Sequence, residues 1–241
     1  MNEPNDLQVL YEDNHLLCVL KPAGVLSQSD GSGAPDLLTL AKDYIKVKYA
    51  RPGAVYMGLV HRLDRNVGGV LLLARTSKAA ARLTTAFRER APRKVYTAMV
   101  EGVPEPPRGE RFDLIVKDER QRKARIVAAT SSDGGQAREA RLTYRLVRHG
   151  QLRGRGEYSL LEIELFSGRF HQIRAQMAAM GHPVAGDAKY GARPGPPPPE
   201  PMDNHSLFLF ASRLEIEHPV KREPLVFEAE PPFASMIADQ A

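Results

Sequence analysis

The sequence predicts an α+β fold, built on a mixed, largely antiparallel sheet with flanking helices. Short segments that alternate polar and apolar residues recur along the whole chain of 241 residues, as they do in half-exposed strands. Amphipathic helical segments interrupt these strands at irregular intervals, whereas a parallel α/β fold would place one after each strand. No segment repeats with a period of about 20–50 residues, which argues against a repeat protein.

The first third of the chain contains two short strands and a helix. Residues 8–11 and 15–20 are predicted strands on either side of a turn at Asp13-Asn14. A helix is predicted over residues 37–48, because Asp36 is a good capping residue and the apolar side chains that follow share one helical face.

A buried strand, a second helix and a further strand come next. The continuous apolar run at 69–74 is typical of a strand covered on both faces. Ser77 is predicted to cap a helix that runs to about Arg90, since apolar residues recur there at helical spacing. The strand at 95–100 ends before Gly102 and three prolines.

The second half of the chain is mostly strands. A turn at 131–135 and a short helix over 170–180, which ends at Gly181, interrupt them. The proline-rich segment 194–201 is expected to be an exposed loop, because proline donates no hydrogen bond to a sheet. The predicted strands cover residues 111–116, 124–129, 140–147, 158–165, 207–216 and 225–229.

Composition excludes several classes of protein. The sequence has no run of about 18 apolar residues, the length needed to cross a membrane. Its polar N-terminus is unlike a signal peptide. The single cysteine, Cys18, excludes an internal disulfide and a cysteine-based zinc site, and it favours a reducing, cytoplasmic address. His171 and His182 have no cysteine or acidic partner at ligand spacing, so no metal site is expected. Phosphate-binding loops, dinucleotide fingerprints and Gly-x-Ser-x-Gly elbows are also missing from the sequence.

Positive charge is concentrated in the middle of the chain. The formal net charge is +5, but residues 51–155 hold 23 Lys and Arg against 10 acidic residues. Most of these basic residues are arginine, which pairs bidentately with phosphate and stacks on bases. This distribution indicates a polyanionic partner, RNA or DNA; a solvated basic surface is the alternative.

Two groups of polar residues are candidates for chemistry. Residues 61–69 (His-Arg-Leu-Asp-Arg-Asn-Val-Gly-Gly) place Asp64 between two arginines, and nearby positive charge keeps a carboxylate ionised, as a nucleophile or base requires. The alternative is an ion-paired turn residue. The glycines would let backbone approach a ligand closely. Residues 167–174 (Ser-Gly-Arg-Phe-His-Gln-Ile-Arg) bring donors to an electropositive helix N-terminus, or else form a solvent-facing amphipathic helix. Tyr96 lies in a predicted strand, where tyrosine is usually core packing.

These motifs resemble those of the RluA-type pseudouridine synthases. Residues 61–65 before an apolar strand look like that family's active-site motif, and the other family motifs occur in its order and spacing. They are Lys21-Pro22-Ala23-Gly24, Lys94-x-Tyr96-x-Ala98-x-Val100, Gly168-Arg169-x-His171-Gln172-Ile173-Arg174, Gly181-His182-Pro183-Val184-x-Gly186-Asp187-x-x-Tyr190-Gly191 and the tail from His218-Pro219 to Ala229. The resemblance covers residues 8–232. It implies one catalytic domain there, with a central active-site cleft and terminal tails at 1–7 and 233–241.

The resemblance implies an isomerase that converts uridine to pseudouridine in ribosomal or transfer RNA. Asp64 would be the essential carboxylate, either attacking C1′ of the uridine or acting as a base on its ribose. Arg174 would pair with Asp64 and keep it ionised, and Tyr96 would stack on the uracil and take the C5 proton. Arg62 would hold a phosphate where the uridine flips out of the stack. The other predicted substrate-binding residues are His61, Arg65, Arg169, His171 and Gln172.

The resemblance implies no cofactor and no metal, since the isomerisation consumes no redox equivalent. RNA is the expected partner, no membrane is involved, and we expect a monomer in the cytoplasm without the N-terminal S4-type domain of some relatives. The family usually has Thr-Ser-Gly where this chain has Val67-Gly68-Gly69, and Val-His where it has Ala175-Gln176. The alternatives to a synthase are a catalytically silent RNA-binding protein and a metal-dependent nuclease.

Overall fold

The computed structural model of the chain describes residues 7–130, 136–152, 154–203 and 207–237. The described residues divide into two compact units. One holds those within Met1–Arg93 and Ala211–Glu230, and the other holds those within Lys94–Phe210 and Pro231–Ala241. The predicted turn at 131–135 lies outside the described residues.

Strands dominate both units, and three helices flank them. In chain order the elements are β1 (Val9–Glu12), β2 (Leu16–Lys21), α1 (Leu37–Lys48), β3 (Gly58–Leu59), β4 (Gly68–Ala74), α2 (Ser77–Arg88), β5 (Arg93–Glu101), β6 (Arg108–Asp118), β7 (Lys123–Val127), β8 (Arg138–Leu152), β9 (Gly156–Leu165), α3 (Gln172–Ala179), β10 (Leu209–Glu217) and β11 (Pro224–Glu228). Short 3-10 turns occupy Ala188–Tyr190 and Ala234–Met236.

In the first unit, β4 lies between β2 and β10, and both of its faces are buried. β1 pairs with β2, β2 with β4, β3 with β4 and β10 with β11, all antiparallel. One face of β4 contributes to a core with α2, where Val70 and Leu72 pack with Leu83 and Phe227. Residues on the other face of β4, such as Leu71, are fully buried as well, which confirms the strand predicted from the apolar run.

In the second unit the strand order is β5-β9-β8-β6-β7, and the neighbouring strands pair antiparallel. Helix α3 packs on β6 and β7. Ala175 of α3 meets Ile115 of β6 and Ala124 of β7 in a small core that also contains Tyr190. The β6–β7 hairpin therefore supports the helix whose N-terminus carries the second candidate motif.

The helix starts show where the sequence pattern needs correction. Asp36 caps α1 as predicted, and its Oδ1 accepts from the Thr39 N–H at 3.0 Å. Helix α2 is capped by Thr76 rather than Ser77, because the Thr76 hydroxyl accepts from the Ala79 N–H. Helix α3 begins at Gln172 instead of residue 170, since His171 has a left-handed backbone that interrupts the helix.

The α+β class and the largely antiparallel sheet are confirmed. The single catalytic domain over 8–232 and its central cleft stay predictions. Within the segment predicted as the C-terminal tail, Phe233 and Ile237 are buried, and they flank the turn at Ala234–Met236. Among the described residues, no helix is both long enough and apolar enough to span a membrane.

Candidate active site

The loop that carries Asp64 joins β3 to β4. Leu63 and Val67 are buried and anchor its two sides, while Asp64 itself is half-buried. The Val67 N–H donates to the Asp64 carbonyl at 3.1 Å, which closes a tight turn around the acid. Arg62 and Arg65 are exposed on either side of it.

The fully buried side chain of Lys21 binds the backbone of this loop. The Lys21 ammonium donates to the carbonyl oxygens of Val25, Pro22 and Arg65, at 2.6, 2.9 and 3.0 Å. Three acceptors match the three N–H groups of an ammonium. Lys21 therefore joins the end of β2 to the residue that follows Asp64.

Gly24 and Ser27 also form hydrogen bonds with the same loop. Gly24 and Arg65 exchange two hydrogen bonds, from the Gly24 N–H to the Arg65 carbonyl at 2.8 Å and from Arg65 Nε to the Gly24 carbonyl at 2.9 Å. The Ser27 hydroxyl donates to the Leu63 carbonyl at 2.8 Å and accepts from the Leu63 N–H at 3.1 Å. The residues before and after Asp64 are thus both fixed.

The electrostatic state of Lys21 is set by two opposing effects. Burial lowers the pKa of Lys21 to about 7, and the Asp64 carboxylate opposes this by favouring the ammonium, while Arg65 adds to the lowering. The charge on Lys21 is therefore coupled to the charge on Asp64.

His61 has a packing role in this structure. Its Nε2 accepts from the Leu72 N–H at 3.0 Å, and its ring stacks on Phe87 with centroids 4.7 Å apart. These contacts tie the start of the loop to β4 and α2.

Gly69 allows a close approach of backbone to backbone. It has φ +126°, and a Cβ on it would lie 2.4 Å from the Ala211 carbonyl oxygen and 2.5 Å from the Ala211 nitrogen. The sequence suggested that glycine here admits a ligand, but the close neighbour is the backbone of β10. A side chain at Gly69 would push β4 and β10 apart.

In the second unit, Arg174 forms a buried ion pair with Asp187. Arg174 Nε donates to Asp187 Oδ2 at 2.6 Å, and Nη2 donates to Oδ1 at 2.9 Å. Only 8% of the Arg174 side chain and 1% of the Asp187 side chain are exposed. The sequence reasoning gave Asp187 no role, although it lies in a family motif.

A third contact of Arg174 is made with His171. Arg174 Nη1 lies 2.9 Å from His171 Nε2, and His171 Nδ1 lies 3.0 Å from the Tyr190 hydroxyl oxygen. The His171 ring also stacks on Phe170 at 3.8 Å. Burial, followed by the adjacent Arg174 charge, lowers the pKa of His171 to about 3.

Gln172 and Arg169 bond to their own unit. The Gln172 side chain is buried; its Oε1 accepts from the Ser167 hydroxyl and the Arg169 N–H, and its Nε2 donates to the Arg141 carbonyl. Arg169 Nε donates to the Glu139 carbonyl at 2.9 Å.

Gln176 replaces the histidine that the family commonly shows. It is fully buried, and its Nε2 donates to Asp113 Oδ2 at 2.8 Å. Its contact with β6 therefore belongs to the support of α3.

Tyr96 is half-buried on β5, opposite Ile163 of β9.

The structure gathers the predicted residues into two groups. His61, Arg62, Asp64 and Arg65 share one loop of the first unit, whereas the second unit carries the others, with Arg169, His171, Gln172 and Arg174 at the start of α3. Within the described part of the chain, no cluster of three or more His, Cys, Asp or Glu could hold a metal ion.

Comparison with known proteins places these motifs in a family. The family model described as RNA pseudouridylate synthase matches residues 15–179. The chain is 32% identical over 237 residues to the dual-specificity RNA pseudouridine synthase RluA of Escherichia coli, and the match covers 96% of this chain and 97% of that protein. It is 31% identical over 244 residues to the ribosomal large subunit pseudouridine synthase D of Zymomonas mobilis, covering 96% of this chain and 72% of that protein.

A solved structure shares the fold. The human RNA pseudouridylate synthase domain containing 1 superposes with a TM-score of 0.74 and 24% identity, covering 98% of this chain and 88% of that chain. This likeness shows the fold, and the sequence matches show the family. The chain belongs to the RluA-type RNA pseudouridine synthases, enzymes that isomerise uridine in RNA to pseudouridine.

Proposed function

We propose that this enzyme modifies a uridine of ribosomal or transfer RNA and that Asp64 is its essential carboxylate. The observation that carries this proposal is the fixation of the Asp64 loop. Buried Lys21 holds the Arg65 carbonyl, and Ser27 holds Leu63, so the backbone on both sides of the acid is fixed. A catalytic group gains most from such support, because small displacements from the reacting atom are costly.

The reaction balances without any co-reactant. The N1–C1′ bond of uridine breaks, the uracil turns, and C5 bonds to C1′; the proton on C5 then leaves, and N1 gains one. Asp64 either attacks C1′ or takes a proton from the ribose. Tyr96 stacks on the uracil and takes the C5 proton.

Arg174 keeps the Asp64 carboxylate ionised and aimed. A guanidinium has five N–H groups. Asp187 takes one on Nε and one on Nη2, and His171 takes one on Nη1. As the family resemblance implies, the guanidinium is also the group that pairs with the Asp64 carboxylate, since a guanidinium pairs strongly with a carboxylate.

RNA is held by the exposed arginines of the same loop and by the basic central segment. Arg62 and Arg65 flank Asp64 and are exposed, so each reaches a phosphate near the flipped uridine. Arg169 adds a further cation at the start of α3. His61, His171 and Gln172 belong to the same substrate-binding set, and their described side-chain hydrogen bonds hold them in place within their own units.

The choice of ribosomal or transfer RNA follows the relatives' names, one of which is a large-subunit synthase and another a dual-specificity synthase. The enzyme acts as a monomer in the cytoplasm. The cytoplasmic assignment is supported by Cys18, a free thiol buried in the first unit.

Asp64→Asn tests the central assignment. The amide keeps the shape of the side chain but is neither a strong nucleophile nor a base, so the variant should bind RNA and form no detectable pseudouridine. Asp36→Asn is the matched control, because asparagine caps a helix as well as aspartate and should leave activity unchanged. The substrate is RNA from a strain that lacks the protein. Isomerisation by Asp64→Asn would overturn the mechanism.

The same assay separates the alternatives. A wild-type protein that binds this RNA and forms no pseudouridine would favour the silent RNA-binding protein. RNA cleavage that stops in EDTA would favour the metal-dependent nuclease.

Tyr96→Phe tests the proton acceptor. The variant keeps the aromatic face for stacking and loses only the hydroxyl, so the rate should fall by roughly two to four orders of magnitude, the range for a positioned base. Turnover near the wild-type rate would leave Tyr96 as a stacking residue alone.

A further inference from the structure

We propose that Arg155 and Arg193 form a binding site for a phosphate group of the RNA backbone, in addition to the arginines of the Asp64 loop. Both arginines belong to the second unit. Together they line an open cleft of about 680 Å³, whose other lining residues are Gly154, Gly156 and Pro194. The inference rests on RNA as the substrate of the proposed function, and it does not depend on the role given there to Asp64.

A buried carboxylate fixes Arg193 at two points. Glu101, at the end of β5, accepts from the Arg193 backbone N–H at 2.6 Å and from Arg193 Nε at 2.9 Å. The side chain of Glu101 is 11% exposed, whereas that of Arg193 is 58% exposed. Among the described residues these are the hydrogen-bond partners of Arg193, so Nη1 and Nη2 keep their N–H groups for a ligand.

Arg155 is anchored through one edge of its guanidinium. Its Nη1 donates to the carbonyl oxygens of Pro194 and Gly195, which leaves Nε and Nη2 as further donors. Within the described ranges Arg155 has no acidic partner, and its side chain is exposed. A guanidinium that is held in place without a counter-charge is prepared to bind an anion.

Each arginine is held against the residue that follows the other one. Arg155 bonds to Pro194, which follows Arg193, and the Arg193 guanidinium lies against Gly156, which follows Arg155. A Cβ on Gly156 would lie 3.4 Å from Arg193 Nη1 and 3.5 Å from Nη2. Two positive charges thus line one cleft, and like charges repel. An anion between them offsets this repulsion.

Glycines fix the backbone on both sides of the cleft. Gly154 and Gly156 flank Arg155 in the turn before β9, with φ of +72° and +93°, a region that favours glycine. On the other side, a Cβ on Gly195 would lie 3.0 Å from the Gly186 nitrogen, so this loop packs closely on its neighbour. A site that is fixed before binding loses less conformational entropy when the ligand arrives.

A phosphodiester is the anion that suits this cleft. Guanidinium groups pair bidentately with phosphate oxygens, and an open cleft admits a phosphate that is part of a continuous chain. Glu157, the acidic residue that follows Gly156, contacts His149, with 3.2 Å between Oε1 and Nδ1. RNA is the polyanion on which this family acts, so its backbone is the ligand.

The test is Arg155→Gln, which removes the unpaired charge and leaves Arg193 with Glu101. Binding is measured by fluorescence anisotropy with a labelled transfer RNA transcript and with a labelled fragment of ribosomal RNA. At about 100 mM salt the affinity for each should fall about tenfold, and the slope of log K against log salt should become shallower by about 0.7 to 1, as for one lost phosphate contact. With RNA from a strain that lacks the protein, KM should rise and kcat should stay unchanged.

Two control variants separate charge from structure. Arg155→Lys keeps the positive charge, so its salt dependence should stay close to that of the wild type. Arg222→Gln removes an exposed arginine of the first unit, whose Nη1 pairs with Glu217 at 2.8 Å. It should change neither the affinity nor the slope.

Chemical protection tests the wild-type protein without any variant. Phenylglyoxal modifies exposed arginines, and mass spectrometry locates the modified residues. RNA should protect Arg155 and Arg193 and leave Arg222 reactive. Inorganic phosphate at the same phosphate concentration should protect neither, because it lacks the other contacts of an RNA chain.

The outcomes are distinct. Unchanged affinity in Arg155→Gln, reduced affinity with an unchanged slope, or equal modification of Arg155 with and without RNA would overturn the proposal. An effect on one RNA probe alone would overturn a backbone contact, which all RNA shares. Protection by inorganic phosphate but not by RNA would overturn RNA as the ligand. If Asp64→Asn proved active while Arg155→Gln behaved as expected, the proposed role of Asp64 would fail and the phosphate site would stand.

Discussion

The burial of Lys21 should make the stability of this protein depend on pH in a specific direction. In the folded protein the pKa of Lys21 is lowered to about 7, whereas an unfolded lysine titrates near its ordinary value of 10.5. Between these two values the unfolded chain binds the proton and the folded protein does not. The free energy of unfolding therefore rises with pH across this window, and this gain is lost as pH falls from 10.5 to about 7.

The size of the effect follows from the two pKa values. One proton of difference changes the free energy of unfolding by about 1.4 kcal/mol per pH unit. Between about pH 7.5 and about pH 9.5, the difference is close to one proton over most of the range. Lys21 should therefore contribute a rise of about 2 kcal/mol over this interval.

The assay is urea unfolding of the wild-type protein and of Lys21→Met at both pH values. All other titrating groups are shared, so the stability difference between the two proteins isolates Lys21, and it should shift by about 2 kcal/mol in favour of the wild type at the higher pH. Lys46→Met, at an exposed lysine of α1, should show no such shift. A difference that does not change with pH would refute the reasoning, because it would mean that the three carbonyl oxygens and Asp64 keep Lys21 charged throughout.

Three further predictions follow from buried groups and surface charge. Tyr158→Phe should raise the free energy of unfolding in urea by about 1 kcal/mol, because the buried Tyr158 hydroxyl has no hydrogen-bond partner among the described residues; a loss of stability would contradict this. Asp187→Asn should lower stability by about 3 kcal/mol, since it removes one charge of the buried ion pair with Arg174, and an unchanged urea midpoint would count against the ion pair. RNA affinity should fall steeply between about 50 and about 200 mM salt through counterion release from the basic segment 51–155, and a flat titration would exclude an electrostatic interface.

The sequence by itself determined most of the elements and the family. Hydrophobic periodicity and turn residues are local properties, so β2, α1 and β4 could be recognised from short windows. The Asp64 motif could be recognised as well, because its residues are contiguous. The two-residue strand β3 was missed, since it is too short to show alternation.

The sequence pattern could not predict the backbone conformation and surroundings of single residues. The residues from 170 onward favour a helix, yet His171 adopts a left-handed backbone because its ring is held between Tyr190 and Arg174. Gly69 was interpreted as an opening for a ligand, and only the structure shows the backbone of β10 against it. In each case one neighbour, Tyr190 or Ala211, is distant in sequence.

Only the tertiary structure decided which polar groups act on one another. Gln172 looked like a donor for substrate, but folding buries it, and a buried amide must satisfy its hydrogen bonds within the protein. Lys21 and Arg65 are 44 residues apart, and Arg174 and Asp187 are 13 apart. Residue types show which groups can donate or carry charge, but the partner and the proton position depend on distances of a few ångströms, and those distances are set by packing of elements remote in the chain.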